Sequence, residues 1–121
     1  MTLEELIETY KQQISICAQV NYLDKKTVKA NNEAVKKMYT LIETLRDDFS
    51  TDYIRQFSSL LNISDQDTNL WAAAQMLERL QLEKDIEQKA LSIIKATANS
   101  DKPVALGFQM WLKDWEAKRC K

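Results

Sequence analysis

The stretch Asp67-Thr68-Asn69-Leu70-Trp71-Ala72-Ala73-Ala74-Gln75-Met76-Leu77 recurs in weaker form 34 residues downstream. With that one offset Leu70 aligns with Val104, Ala73 with Gly107, Gln75 with Gln109, Met76 with Met110 and Leu77 with Trp111, without a gap. Self-similarity at such a period marks stacked helix pairs, in which each unit buries its apolar face against its neighbour. The alignment also predicts a role for the only glycine of the chain. Gly107 falls inside a helix, where glycine costs about 1 kcal/mol relative to alanine, and its counterpart is Ala73. Both copies therefore should have a neighbouring helix passing closely at that point.

Working outward, the first copy should be a helix from Thr68 to about Leu80. A following helix over Glu83–Ala98 carries Ile86, Ala90, Ile93 and Ala96 at steps of four, three and three. Asn99 to Pro103 breaks it, and Pro103 suits the first turn of a last helix that should bury Val104, Phe108, Trp111, Leu112 and Trp115. Upstream, Asn62-Ile63-Ser64-Asp65-Gln66-Asp67 is dense in residues that bond their own backbone and reads as a loop. Tyr53, Ile54, Phe57, Leu60 and Leu61 before it suggest a short helix or helical turn after the polar break at Asp48, Ser50 and Thr51. At the start, Thr2-Leu3-Glu4-Glu5 matches a capping box. It opens a helix to about Asn21 with Leu3, Leu6, Ile7, Tyr10, Ile14 and Cys17 on one face. Asp24 or Thr27 then caps a long second helix, ending near Asp47, whose stripe is Val28, Asn31, Val35, Met38, Ile42 and Leu45.

The fold class that follows is all-α: a compact α–α superhelix of about five to six helices in one domain, 1–121. A long helical hairpin occupies 1–48 and two helix-pair units occupy 67–118. Composition agrees, since Gly and Pro occur once each where ordinary usage would give about eight and six. Hairpins and tight β-turns depend on those residues, which argues against an all-β fold.

Lys and Arg number 17 against 18 Asp and Glu, so there is no basic surplus to displace counterions from phosphates, and no nucleic-acid partner is expected. The longest apolar runs are a few residues, far below the ~20 that span a bilayer, and Met1 to Glu5 lacks the pattern of an export signal. No membrane partner is expected and the location expected is the cytoplasm. Cys17 and Cys120 should be reduced, Cys17 as a buried thiol and Cys120 in a terminal tail.

Histidine is absent, which removes the commonest general base and transition-metal ligand. No Gly-rich loop cradles a phosphate. Glu43 and Asp47, one helical turn apart with Asp48 beside them, could hold a hard cation, but Asp48 is equally explained as a cap. The reading is of no catalytic residue, no cofactor and no metal. Asn31, on the core-facing stripe, should be hydrogen-bonded if buried. Either it ties its helix to a neighbouring loop, or Asn31 and Asn32 line a groove that a partner enters. Trp71 stands beside its helix's apolar position, so it either packs or serves as an exposed anchor.

The 67–77 stretch resembles the first-helix signature of HEAT-like repeats: an Asp, an apolar residue, paired alanines and a leucine. The second copy keeps Asp101, Val104 and Gly107 but carries Phe108 and Trp111 where alanine and leucine are usual. Trp71 and Ala105 stand where an Arg often follows. Over most of its length the chain resembles the small bacterial family catalogued as domain of unknown function 2019, through Asn31-Asn32, Leu70 to Leu77, Ala90-Leu91 with Ile94, and Trp111-Leu112 with Trp115. The resemblance implies a HEAT-like helical domain with no assigned activity. The function expected is a non-enzymatic protein-interaction module with a protein partner, of immunity or antitoxin-like type by analogy. The alternatives are a HEAT-like domain acting on a nucleotide or nucleic acid through carboxylates, and a homodimer joined through its repeat face.

Overall fold

A computed structural model describes residues 2–119 and is helical throughout, with no strand among them. Cys120 lies outside the described residues. The helices are α1 (Leu3–Ala18), α2 (Lys25–Asp48), α3 (Thr51–Phe57), α4 (Thr68–Arg79), α5 (Lys84–Ala98) and α6 (Ala105–Arg119). A 3-10 turn over Ser58–Asn62 extends α3, and a second over Asp65–Asp67 leads into α4.

Local chemistry sets the boundaries. The Thr2 hydroxyl accepts from the Glu5 amide at 3.1 Å and starts α1. α1 stops at Ala18, three residues short of the expected Asn21, because Asn21 to Asp24 form a clamped turn. Asn21 N–H donates to Thr27 Oγ1 at 2.9 Å, and the Thr27 hydroxyl lies 2.7 Å from the Asn21 carbonyl. The cap of α2 is Asp24, whose carboxylate accepts from Lys26 N–H at 3.0 Å. Gln66 and Asp67 adopt left-handed φ of 54° and 59°, which is how the 62–67 segment changes direction before α4 begins.

The core centres on Tyr10, Phe57, Met38, Ile42, Leu45, Leu60, Met76 and Ile94, all fully buried. The Tyr10 and Phe57 rings meet edge to face at 5.1 Å, locking α1 to α3. Several expectations need correcting. The opening turns of α2 are only half-buried at Val28, Asn31 and Val35, and burial along that stripe becomes complete from Met38 onward. In α5 the buried residues are Ile86, Ala90, Ile94, Thr97 and Ala98, with Ile93 half-buried and Ala96 exposed. Steps of four keep the stripe on one face where the expected succession of threes would drift off it.

α6 departs furthest. It begins at Ala105, so Pro103 lies in the preceding turn, closed by Ala105 N–H to the Lys102 carbonyl at 3.0 Å. Val104 is 46% exposed, and Phe108, Trp111, Leu112 and Trp115 are half-buried against the core. The paired small residues also behave differently. Ala73 is fully buried, whereas a methyl built on Gly107 would meet nothing within 4 Å. No close helix passage among the described residues explains the glycine, because α6 is packed from one side only.

α1 and α2 form one hairpin and α4 and α5 a second, with α2 beside α4 and α6 beside α5. Tyr39, Glu78 and Trp111, joined by hydrogen bonds, set one level of α2, α4 and α6. Tyr22, Asp67 and Val104, each just ahead of its helix, line the other end of the same groove. The three helices therefore run in one direction, and their common layer forms the groove.

Candidate functional site

The groove lies over the outward face of α4, between α2 and α6, and encloses about 380 Å³. Asp67, Leu70, Trp71, Ala74, Gln75 and Glu78 form its floor, one continuous stripe of α4. Tyr22 and Tyr39 make one wall, and Val104, Phe108 and Trp111 the other. Aromatic rings thus come from three separate elements, a concentration suited to gripping apolar groups.

Two polar devices organise it. Glu78 bridges the walls: its Oε2 accepts from the Tyr39 hydroxyl at 2.5 Å and its Oε1 from the Trp111 indole N–H at 2.6 Å. The Arg79 guanidinium stacks over the Tyr39 ring at 4.8 Å. Burial, then the bond to Glu78, pushes the Tyr39 hydroxyl well above its ordinary pKa, so it stays a donor across the neutral range.

Gln75 is the second device and is 1% exposed. Its Oε1 accepts from the Tyr10 hydroxyl at 2.7 Å, while its Nε2 has no hydrogen-bond partner among the described residues. Exchanging the two amide ends does not help, since Tyr10 serves one end and the other is still unmatched. An amide donor buried without a partner costs on the order of 1 to 3 kcal/mol. Burial also drives the Tyr10 hydroxyl well above its ordinary pKa.

Of the residues singled out from sequence, only Trp71 belongs to this site, half-buried in its floor. Asn31 is half-buried elsewhere; its carbonyl accepts a long contact from the Cys17 thiol at 4.0 Å, and its side-chain amide makes no hydrogen bond to a described residue. The expected tie from Asn31 to a loop is absent among those residues. Asn32 is exposed beside a shallow depression with Tyr22, Lys25, Lys29 and Lys36. The groove residues that sequence reasoning passed over are Tyr39, Gln75, Glu78 and Phe108. Gln75 did carry a signal, as the polar residue preserved in both copies of the repeat.

Asp47 is held by Arg46 at 2.8 Å rather than converging with Glu43, and no group of three Cys, Asp or Glu among the described residues is placed to hold a metal. Burial raises the Cys17 thiol pKa, disfavouring a thiolate. No helix of the described residues is long and apolar enough to cross a membrane. Neither a protein-family model, nor a curated protein, nor a solved structure matches this chain, so the site is characterised by its own geometry.

Proposed function

We propose that the chain is a non-catalytic interaction module whose groove over α4 receives a short segment of a partner protein. The observation that carries this reading is the concentration of aromatic rings, Tyr22, Tyr39, Trp71, Phe108 and Trp111, around one groove. A peptide supplies the complement, an apolar side chain that packs among the rings. The charged groups of the lining, Asp67 and Glu78, are acidic. Asp67 already pairs with Lys102 at 3.6 Å, so Glu78 is the group that favours a Lys or Arg beside the apolar anchor; no lining residue carries the positive charge that would hold a phosphate, which weighs against the nucleotide or nucleic-acid reading. Three parallel helices forming one layer are also what a HEAT-like stack would present, and masking a toxin by direct contact would be one use of such a surface.

The test is selection of peptides from a random library against the native chain and against Trp71→Ala. Peptides sharing an aromatic or large aliphatic anchor with a basic flank are expected, with binding weakened at least about tenfold by Trp71→Ala. Unchanged helical circular dichroism of the variant would assign the loss to the groove. Peptides that bind both forms equally, or no enrichment at all, would contradict the reading.

A further inference from the structure

Five lysines on α2 take no part in holding the fold together. Residues 25–37 contain Lys25, Lys26, Lys29, Lys36 and Lys37 with a single acid, Glu33, in a chain whose formal net charge is -1. All five are exposed, and none makes an ion pair with a described residue. Two of them also oppose the helix dipole: α1 and α5 carry acids in their first turns, whereas the first turn of α2 has none and begins Lys25-Lys26. Lys25, Lys29, Asn32 and Lys36 follow at steps of four, three and four along one stripe, and with Tyr22 and Val28 they line an open depression of about 510 Å³. The next step of three on that stripe is Tyr39, in the wall of the groove, and Tyr22 lines groove and depression alike. The two hollows are thus parts of one surface, apolar in the groove and basic along its α2 rim.

Resting on the reading of the groove as a peptide site, we infer that the lysine row receives an acidic flank of the same partner segment. The apolar anchor lies among the rings, its basic neighbour toward Glu78, and the acidic flank passes over Tyr22 to Lys25 and Lys29. The spacing suits an extended chain, because one helical turn advances about 6 Å and two extended residues cover about the same distance. Asp or Glu at alternate positions therefore meets successive lysines, and Asn32 offers its amide to the main chain beside them. Charge complementarity of this kind sets both direction and register. A nucleic acid or an anionic lipid surface fits less well, since Glu33 stands in the depression and Asp24 beside Lys25. An extended polyanion would cover both, whereas a peptide places its carboxylates singly.

Peptides selected on the native chain, titrated by fluorescence anisotropy, test it. They should carry Asp or Glu on the flank away from the basic residue. Lys25→Glu/Lys29→Glu should weaken their binding about tenfold, and replacing the peptide's acids by Lys should restore affinity for that variant alone. Lys84→Glu/Lys95→Glu on α5 changes the net charge equally and should have little effect. An acid in the first turn of α2 favours the helix, so the Lys25→Glu/Lys29→Glu variant should melt no lower than the native chain, which separates lost binding from lost folding. Affinity indifferent to the Lys25 and Lys29 reversal, an equal loss in the α5 control, or selected peptides without an acidic flank overturns the inference. So does a row whose reversal abolishes binding of single-stranded RNA or phosphatidylserine vesicles and leaves peptide affinity intact. In each of these cases sensitivity to Trp71→Ala keeps the groove reading standing alone, while binding insensitive to every variant contradicts both.

Discussion

Tyr10 and Gln75 are 65 positions apart in sequence and bonded in the core, so each is the other's only relief from desolvation. Tyr10→Phe strips the amide of its remaining partner and should cost about 1 to 3 kcal/mol in urea unfolding. Adding Gln75→Met removes both polar groups together. The double variant should therefore be less destabilised than the two single changes summed, and strict additivity would mean the bond carries nothing. The same burial makes stability depend on pH. Tyr10 and Tyr39 have folded-state pKa values above the ordinary 10.0, so the folded chain holds protons that the unfolded chain releases. Their contribution is complete below pH 10 and is lost as pH rises beyond it. Urea midpoints should fall between pH 9 and 11, and Tyr39→Phe should flatten that fall; a midpoint independent of pH there would contradict it. Tyr10 was legible as core because it sits on a strong period, and Gln75 was visible as a repeated polar residue. Their meeting was not legible, because a contact between α1 and α4 depends on how the hairpins stack.

At the scale of the element, helix existence followed from apolar periodicity and boundaries from capping chemistry, so α1, α2, α4 and α5 match their expected spans within a few residues. α6 was misjudged because apolar residues on nearly all sides leave no single stripe to point inward. Phe108, Trp111, Leu112 and Trp115 face the core in part, while Leu106 and Met110 face outward. The glycine at 107 now gives an opposite prediction to the one the repeat alone suggested. With open space at its Cβ position, Gly107→Ala should raise the stability of α6 by up to about 1 kcal/mol through helix propensity. Thermal unfolding measures the effect, and a lowered midpoint would show that something packs there after all. Glu78 is the strut of the layer, holding α2 through Tyr39 and α6 through Trp111. Glu78→Ala should cost about 1 kcal/mol and shift tryptophan emission to the red as Trp111 loosens; unchanged emission would show that Trp111 is held by packing alone.

For the whole molecule, the all-α class was written into the composition and the repeat, since one Gly and one Pro in 121 residues leave little else to build. The groove was not written there, because it arises from the parallel placement of α2, α4 and α6 and draws residues from Tyr22 to Trp111. Trp71 was recoverable as the aromatic standing off its helix's apolar position, whereas Asn31 and Asn32 sit on a part of α2 that does not line this groove. What the fold adds to the sequence is a concave, ring-lined channel with an unmatched amide at its floor. Heteronuclear NMR of the labelled chain titrated with a selected peptide addresses that claim most directly. Resonances of the Trp71 and Trp111 indoles and the Gln75 side-chain amide should move together and saturate in step. Perturbations confined to residues outside the groove, with those three signals stationary, would contradict the account.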